Sequence, residues 1–395
     1  MQLKPSAYLS FARIALANAA KKLVKPSPVK KGPSLLVGGS DRHRLLTLNR
    51  PSQRNAISQA MADSLERQLL DASVGGGSGR LVLLRGAGGA FSAGGDLKFL
   101  LTTSFLRHKL PQSLRLFESY YRLNFLVSSL GMPYVSFMDG IAMGTGAGLG
   151  LNGSFSVATE RTIFAMPETT IGLFPDQGSS FYLSRLEHKL GYYLGLLGER
   201  LDGADVHLAG LATHAIPSHL LDKTEAALLA LPESRLDKEN VAAVLDDFQE
   251  QGGLGKGELS LGPHLAEIEK AFSASSAEAI AARLQESDSQ FARQTLAKIR
   301  AASPTMVKVT LELLGRGGRA RTFGEALQTE HGIHNYMLYQ HPDFQEGAVK
   351  MLLEKGRRGP PEWAPATLEE VSEELVQAHF APPSKSLCFT LALAH

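Results

Sequence analysis

The residues with the clearest potential for chemistry are two carboxylates, Glu168 and Asp176, which lie eight residues apart in a segment rich in proline and glycine. A glycine-rich run precedes them, with glycines at positions 144, 146, 148 and 150. Glycine lets the backbone approach another group closely, so backbone N–H groups are candidate binding groups there. We interpret residues 133–185 as the segment around which a site is organised.

A second glycine-rich run, GAGGAFSAGGDLKFL, covers residues 86–100 and precedes a short helix. A chain that turns from strand to helix in this way exposes backbone donors, which is what holding an anion or a developing oxyanion requires. A plain strand-to-helix connection is the alternative. The run by itself does not separate the two interpretations.

Alternating strand-like and helix-like segments must position these groups. Residues 44–48 and 81–84 have the pattern of strands, and a helix with apolar residues at helical spacing is predicted between them over 55–70. Strand, helix and strand in this order predict a parallel pair joined by a crossover. A further strand over 133–138 leads into the glycine loop, and we expect a helix from about 143 to 151.

The two ends of the chain differ from the central segment in composition and in predicted structure. Residues 26–40 are rich in Pro, Gly, Ser and Lys, which is typical of a linker, so we expect the fold to start near His43. Apolar and helical character is predicted over 191–215, with residues 209–214 as a turn into a short strand. Residues 217–300 are acidic, alanine-rich and helical, and more helices are predicted from there to residue 339.

The composition is that of a globular protein long enough to bury a large core, with 395 residues, 44% of them hydrophobic and 20% charged. The single cysteine, Cys388, excludes an internal disulfide and a cysteine-based metal cluster, and no metal-ligand spacing appears. No apolar run reaches the roughly 18 residues of a membrane span. We therefore expect a soluble protein without a membrane partner.

The positive charge of the chain is concentrated at its start. The first 40 residues carry seven basic residues and no acidic one, whereas the remainder carries 34 basic and 39 acidic residues. Within this segment, AYLSFARIALANAAKKL has apolar residues at helical spacing followed by lysines, a pattern typical of an organelle-targeting presequence. A disordered basic arm or exposed helix is one alternative, and an arm that contacts RNA is another.

Four segments in one order resemble the crotonase, or enoyl-CoA hydratase/isomerase, superfamily. They are LNRP with NA at 48–56, FSAGGDL at 91–97, DGIAMGTGAGLGL at 139–151 and FAMPETTIGLFPDQGSS at 164–180. Further segments resemble the 3-hydroxyisobutyryl-CoA hydrolase branch of that superfamily. These are SPTMVKVT at 303–310, HPDFQEGAVKMLLEK at 341–355 and PEWAPATLEEV at 361–371.

That resemblance covers about residues 42–380. It implies an α/β fold, a ClpP-like spiral of repeated ββα units, with a helical C-terminal region that closes over an acyl-CoA cleft. The domains it suggests are a basic arm or targeting segment plus linker over 1–40, a core with the cleft over 41–215, a helical region over 216–380 and a tail over 381–395.

The resemblance also assigns roles to matching residues. The backbone N–H groups of Ala93 and Thr145 are implied to form an oxyanion hole for a thioester carbonyl. Glu168 is implied to be the base or nucleophile toward that carbonyl, and Asp176 to bind a substrate hydroxyl or help to handle the proton. The positions implied to contact substrate or CoA are Ala56, Gly94, Asp96, Gly144, Gly146 and Tyr120. A CoA thioester is the expected substrate, with no cofactor and no metal.

Three places depart from the family pattern, and one of them is Gly178-Ser179-Ser180, where the family tends to pair two glycines. Thr145 stands where the family usually has glycine, and its β-branched side chain narrows the space for the pantetheine arm. Tyr120 stands where this hydrolase branch carries a glutamate. These changes concern the walls of the pocket, whereas Glu168 and Asp176 are retained.

Different classes of function are compatible with these residues. The first is an enzyme of the mitochondrial matrix that hydrolyses a short branched 3-hydroxyacyl-CoA thioester such as 3-hydroxyisobutyryl-CoA, as in valine degradation. The second is a structural component of the mitochondrial ribosome small subunit, a role that proteins similar to this branch have in several lineages, with the basic arm contacting ribosomal RNA and proteins. A hydratase or isomerase of the wider superfamily is the third. Self-association is compatible with each of them.

Overall fold

The computed structural model describes residues 32–74, 79–354, 357 and 359–381. The predicted targeting segment or arm and almost all of the predicted tail lie outside these residues. Their assignments therefore remain predictions.

Two β-sheets form the centre of the molecule. The strands are β1 (Leu35–Gly39), β2 (His43–Leu48), β3 (Leu81–Gly86), β4 (Tyr134–Met138), β5 (Ile141–Met143), β6 (Phe155–Ala158), β7 (Ile163–Ala165), β8 (Arg200–Asp202) and β9 (His214–Ala215). The larger sheet has the order β1-β2-β3-β4-β6-β9, and all its pairs are parallel except β1 with β2. The smaller sheet has the order β5-β7-β8.

Helices connect the strands and make up most of the C-terminal half. They are α1 (Gln59–Ser73), α2 (Leu97–Ser104), α3 (Leu110–Ser128), α4 (Thr145–Leu151), α5 (Ser179–Leu183), α6 (Leu190–Leu197), α7 (Asp205–Leu208), α8 (Leu221–Leu229), α9 (Lys238–Gly252), α10 (Leu265–Phe272), α11 (Ala277–Gln285), α12 (Gln290–Ala301), α13 (Pro304–Arg319), α14 (Phe323–Gln340), α15 (Asp343–Ala348) and α16 (Glu373–His379). A π-helical turn, Val349–Leu353, follows α15.

The predicted parallel pair is confirmed, since β2 and β3 run parallel and α1 forms the crossover between them. The helix begins at Gln59 and not at residue 55 as predicted. Ser58 is its N-cap and accepts a hydrogen bond from the Met61 N–H. Asn55 has a φ of +55° and is buried, and its side chain donates to the carbonyl of Ala90 at 2.7 Å, so it shapes the preceding loop.

Two sequence-based assignments are wrong. The predicted linker over 26–40 contains β1, whose five residues pair with residues 44–48 of β2, so the fold begins before His43. The predicted helical segment over 191–215 contains β8, which pairs antiparallel with β7. In both cases glycines near the strand masked a short extended segment that only its partner strand stabilises.

The larger sheet is covered on both faces. Val82 and Leu84 of β3 face the main core, whereas Leu81 and Leu83 face a second core formed with α8 and α9. Side chains alternate along a strand, so a sheet buried on both sides needs continuous apolar runs of this kind. The loops that follow β3, β5 and β7 carry the glycine-rich runs and Glu168, and they converge on one cleft.

The C-terminal helices complete that cleft. Helix α14 packs along α3 and places its buried residues Glu330 and His334 beside residues 176–180. Among the described residues, no helix combines the length and apolar character needed to cross a bilayer.

Candidate active site

A cavity of about 310 Å³ brings the predicted catalytic carboxylates and the two glycine-rich loops together. Glu168 and Asp176 both line it, together with Gly94, Gly144 and Thr145. The rest of the lining is mostly apolar and includes Leu97, Leu100, Phe117, Ile171, Leu173, Phe174, Met351 and Leu352. Such a cavity, apolar with a few converging polar groups, has the character of a small-molecule site.

Glu168 is the first residue of a short 3₁₀-helix that follows β7 and Pro167. Its side chain is buried, and its Oε2 atom has no hydrogen-bond partner within the described part of the chain. Burial, and then the neighbouring negative charge of Asp176, raise the pKa of Glu168 well above its ordinary range. A carboxyl group whose pKa is raised holds a proton more readily, so it can both take up and return one.

Glycine is required at position 144 because of its conformation and its neighbour. Its φ is +49°, a backbone conformation that side chains disfavour. A Cβ atom at this position would lie 3.0 Å from Oε1 of Glu168. The glycine therefore lets the N-terminus of α4 approach the carboxylate.

Asp176 has a different environment from Glu168. Its Oδ2 atom accepts hydrogen bonds from Nε2 of Gln177 at 2.6 Å and from Nε2 of His334 at 2.9 Å. Gln177 is fully buried and is itself held by Asn124, whose Nδ2 donates to Oε1 of Gln177 at 2.8 Å. Asn152 donates to Oδ1 of Asn124 at 2.8 Å. Charge on Asp176 is thus stabilised by donors, whereas Oε2 of Glu168 has none.

A third buried carboxylate, Glu330, supports the loop that carries Asp176. Its Oε2 accepts from the Gly178 N–H at 2.7 Å, and its Oε1 accepts from the N–H and the hydroxyl of Ser180 at 3.0 and 2.6 Å. Burial raises the pKa of Glu330 from 4.5 to about 8, although these hydrogen bonds oppose the increase. Glu330 therefore fixes the start of α5 at the expense of burying a carboxyl group.

The Glu330 carboxyl predicts a pH-dependent stability. Because its pKa is higher in the folded chain, the folded state holds a proton that the unfolded state releases between pH 4.5 and about 8. The free energy of unfolding should fall as pH rises through this window, with a contribution on the order of 1.4 kcal/mol per pH unit. Urea denaturation at pH 5, 6, 7 and 8 should show a shallower fall for Glu330→Gln. The fall in the free energy of unfolding should not vanish in this variant, since Glu168 contributes in the same direction.

The matched control for that experiment is Glu250→Gln, which replaces an exposed glutamate at the C-terminal end of α9. This variant should keep the pH dependence of the wild-type protein. Equal slopes for Glu330→Gln and the wild type would contradict the assignment of the titration to Glu330.

The predicted oxyanion hole requires one correction. The N–H of Ala93 donates to the carbonyl of Arg54 at 2.8 Å and so is not available to a ligand. Two residues further on, the N–H of Gly95 has no acceptor among the described residues, and Gly95 lines the cavity. The N–H of Thr145, in the first turn of α4, likewise has no acceptor there, as expected for the start of a helix. The available pair of donors is Gly95 and Thr145.

Several residues predicted to contact substrate or CoA also have partners within the chain. Asp96 forms an ion pair with Arg50 at 3.0 Å and caps α2. Arg50 also donates to the carbonyl of Ala56, whose N–H donates to Gln53 at 3.0 Å, so both backbone groups of Ala56 are used. Asp96 and Ala56 therefore hold the loop before α2 in place. Gly94 and Gly144 do line the cavity, as predicted.

Gly146 and Tyr120 also have structural contacts. A Cβ atom on Gly146 would lie 2.5 Å from the carbonyl oxygen of Ser92, so this glycine allows two backbone segments to touch. The hydroxyl of Tyr120 donates to the carbonyl of Ile57 and accepts from the Asp96 N–H at 3.1 Å. Tyr120 lines the cavity with its ring, but its polar atom secures the loop that carries Gly95. The predicted contact of Gly146 and Tyr120 with substrate or CoA stays a prediction, and the ring of Tyr120 lies where such a contact is possible.

Sequence reasoning missed the residues that support the carboxylates. Gly95, Asn124, Gln177, Glu330 and His334 were not singled out, although all contribute to the site. The usable signal was a set of polar residues on one helical face, at positions 330, 331 and 334, in a helix that otherwise has to be buried.

A mainly parallel sheet whose strand-following loops form an apolar cavity with two buried carboxylates is typical of an enzyme of the crotonase class. The chain belongs to the enoyl-CoA hydratase/isomerase family, whose model matches residues 43–380. This agrees with the fold and the superfamily that the sequence segments predicted.

Comparison with individual proteins gives a finer position in the family. The chain is 40% identical over 338 residues to the mitochondrial 3-hydroxyisobutyryl-CoA hydrolases of Mus musculus and Homo sapiens, covering 85% of this chain and 86% and 85% of theirs. It is 38% identical over 352 residues to the probable 3-hydroxyisobutyryl-CoA hydrolase 2 of Arabidopsis thaliana, covering 88% of this chain and 91% of that protein. The predicted hydrolase-like branch is therefore confirmed.

Solved structures share the whole architecture. A carnitinyl-CoA dehydratase from Mycobacterium thermoresistibile superposes with a TM-score of 0.81 at 32% identity, covering 91% of this chain and 99% of that one. An enoyl-CoA hydratase from Rhodobacter sphaeroides superposes with a TM-score of 0.77 at 30% identity, covering 89% and 98%. The predicted α/β crotonase fold with a helical C-terminal region is confirmed.

Proposed function

We propose that this protein hydrolyses the thioester of 3-hydroxyisobutyryl-CoA to the free acid and CoA. The observation that carries the proposal is the pair of buried carboxylates, Glu168 and Asp176, beside the free N–H groups of Gly95 and Thr145 in one cavity. The relatives named above as 3-hydroxyisobutyryl-CoA hydrolases support the same reaction and the same substrate.

In this proposal the thioester carbonyl oxygen accepts hydrogen bonds from Gly95 and Thr145. Both donors are held by the fold before the substrate arrives, so they stabilise the negative charge that develops on the oxygen without further reorganisation. Loss of one such donor typically reduces kcat by about 10²- to 10³-fold. The apolar walls exclude water and strengthen these contacts.

Glu168 acts on the carbonyl carbon by one of two routes, which have the same reactants and the same products. As a nucleophile, its carboxylate forms a bond to the carbon and the C–S bond breaks to release the CoA thiolate. Water then hydrolyses the resulting anhydride, which restores the Glu168 carboxylate and releases the acid and a proton that the thiolate takes up. As a base, it takes a proton from the attacking water, and this proton passes to the sulfur as the C–S bond breaks. Thioester and water give acid and thiol in both cases.

Asp176 would hold the 3-hydroxyl group of the acyl chain. Its Oδ2 is occupied by Gln177 and His334, whereas its Oδ1 has no partner among the described residues and belongs to a side chain that lines the cavity. A carboxylate oxygen is an acceptor that a substrate hydroxyl can satisfy. This gives a physical basis for choosing a hydroxylated acyl group over a plain one.

The wider assignment follows the same relatives. We propose a location in the mitochondrial matrix, because several of these relatives are named mitochondrial and the N-terminal segment has the composition of a presequence. CoA enters as part of the substrate, and the proposal needs no separate cofactor. No observation on the described residues favours the ribosomal alternative, so we do not propose it.

The purified full-length protein provides the test. We expect release of free thiol from 3-hydroxyisobutyryl-CoA at a rate at least about tenfold above that from isobutyryl-CoA, since only the first offers a hydroxyl to Asp176. The hydratase alternative is tested in parallel with an enoyl-CoA, whose hydration is monitored as a loss of the absorbance of the conjugated double bond. Absence of thiol release from both saturated esters would overturn the proposal.

A further inference from the structure

His334 contacts the candidate active site from a distant part of the chain. It lies on the face of α14 that packs against α3, and its side chain is only 1% exposed. Its Nε2 atom is 2.9 Å from Oδ2 of Asp176, which is 158 residues earlier in the sequence.

Two aromatic rings pack against the imidazole. Phe117 stacks on it with ring centroids 3.7 Å apart and planes 24° apart, and Phe174 lies at 4.6 Å with planes 41° apart. Both phenylalanines also line the cavity. The ring is thereby held so that one nitrogen faces Asp176.

The hydrogen bonds determine which tautomer fits. A carboxylate oxygen only accepts, so the proton of the imidazole lies on Nε2. Nδ1 is buried and has no partner within the described part of the chain. The geometry therefore places a proton on Nε2, where the carboxylate accepts it.

The role of this proton follows from the contacts of Asp176. Two N–H donors, from Gln177 and His334, converge on Oδ2 from different directions and stop rotation of the carboxylate. With Gln177 alone, the adjacent residue in the chain, the carboxylate could turn about its own bond. We propose that His334 is a positioning residue that directs Oδ1 of Asp176 toward the 3-hydroxyl of the acyl group and thereby sets the preference for hydroxylated substrates.

This inference rests on the proposed hydrolysis, but its test separates the two. The measured quantity is the ratio of kcat/KM for 3-hydroxyisobutyryl-CoA to that for isobutyryl-CoA. His334→Phe keeps a ring in contact with Phe117 and Phe174 and removes the donor. We expect the ratio to fall at least about tenfold, chiefly because kcat/KM for the hydroxylated ester falls. If residue 334 only filled space, its replacement would change kcat/KM for both substrates by the same factor.

Two further variants calibrate the result. His334→Gln places an amide N–H at about the reach of Nε2, and it should restore the ratio to within about threefold of the wild-type value. His334→Asn carries the same amide on a shorter side chain, and it should not restore it. These two variants decide the question even if His334→Phe fails to fold, which a thermal melt reveals.

An activity-independent measurement completes the design. Nitrogen-15 labelling of histidine and a long-range proton–nitrogen correlation spectrum should show His334, identified by its absence in His334→Gln, with its proton on Nε2, and Asp176→Asn should shift that signal. A proton on Nδ1, or an unchanged substrate ratio in His334→Phe with an active wild-type enzyme, would overturn the inference alone. An inactive wild-type enzyme would overturn the proposed function and this role with it.

Discussion

Replacement of Glu168 by glutamine should lower kcat for 3-hydroxyisobutyryl-CoA by at least about 10³-fold, or about 4 kcal/mol of transition-state stabilisation. The amide has nearly the shape of the carboxyl group but can neither attack the carbonyl carbon nor take a proton from water. Thiol release under single-turnover conditions measures the chemical step directly. KM should change much less, because the cavity walls and the two backbone donors remain.

The stability of Glu168→Gln should not fall with its activity. The pKa of Glu168 is raised in the folded chain, so the wild-type protein loses stability as pH rises through that pKa. Glutamine has no such proton to lose, and the melting temperature of Glu168→Gln at pH 8 should equal or exceed that of the wild type. Glu250→Gln on α9 is the control for activity and should be neutral. Wild-type turnover by Glu168→Gln would contradict the role of Glu168.

Replacement of Asp176 by asparagine should lower kcat/KM for 3-hydroxyisobutyryl-CoA by about 10²-fold. Gln177 and His334 both present N–H donors to this side chain, so asparagine must turn its single oxygen toward them and its NH₂ group toward the cavity. The acceptor for the substrate hydroxyl is then lost. The loss for isobutyryl-CoA, which has no hydroxyl, should be smaller.

The same variant should also change the pH dependence of catalysis. The negative charge of Asp176 is the second cause, after burial, of the raised pKa of Glu168. Removing the charge lowers the pKa of Glu168, so its active carboxylate form should persist to lower pH and the acidic limb of kcat/KM should move to lower pH. Asp247→Asn, at an exposed position of α9, should leave that limb in place. A limb that stays unchanged in Asp176→Asn would contradict electrostatic coupling of the two carboxylates.

The sequence predicted the local elements around the site with good boundaries. The strand over 133–138 appears as Tyr134–Met138, and the helix expected after the glycine loop appears as Thr145–Leu151. These elements follow from short-range patterns, namely an apolar run and a helix that starts at a glycine turn. The short strands β1 and β8 escaped prediction because their stability comes from pairing with a partner distant in sequence.

The choice between neighbouring amides could not be made from sequence either. Ala93 and Gly95 are both in the loop that precedes α2, and their spacing alone does not indicate which N–H points into the cavity. Pairing of the Ala93 N–H with Arg54 removes one candidate, and the contact of Tyr120 with Asp96 fixes the loop that presents the other.

The sequence by itself determined the fold class, the family and the two carboxylates, because these are carried by residue types at fixed local spacing. Only the tertiary structure decided that Oε2 of Glu168 has no donor among the described residues while Asp176 has two, and that α14 supplies Glu330 and His334. Hydrogen bonds and burial depend on groups more than a hundred residues apart in the chain. Glu168 and Asp176 are carboxylates of similar type, and they differ in chemical behaviour because their surroundings differ. Those surroundings cannot be predicted from a local sequence pattern.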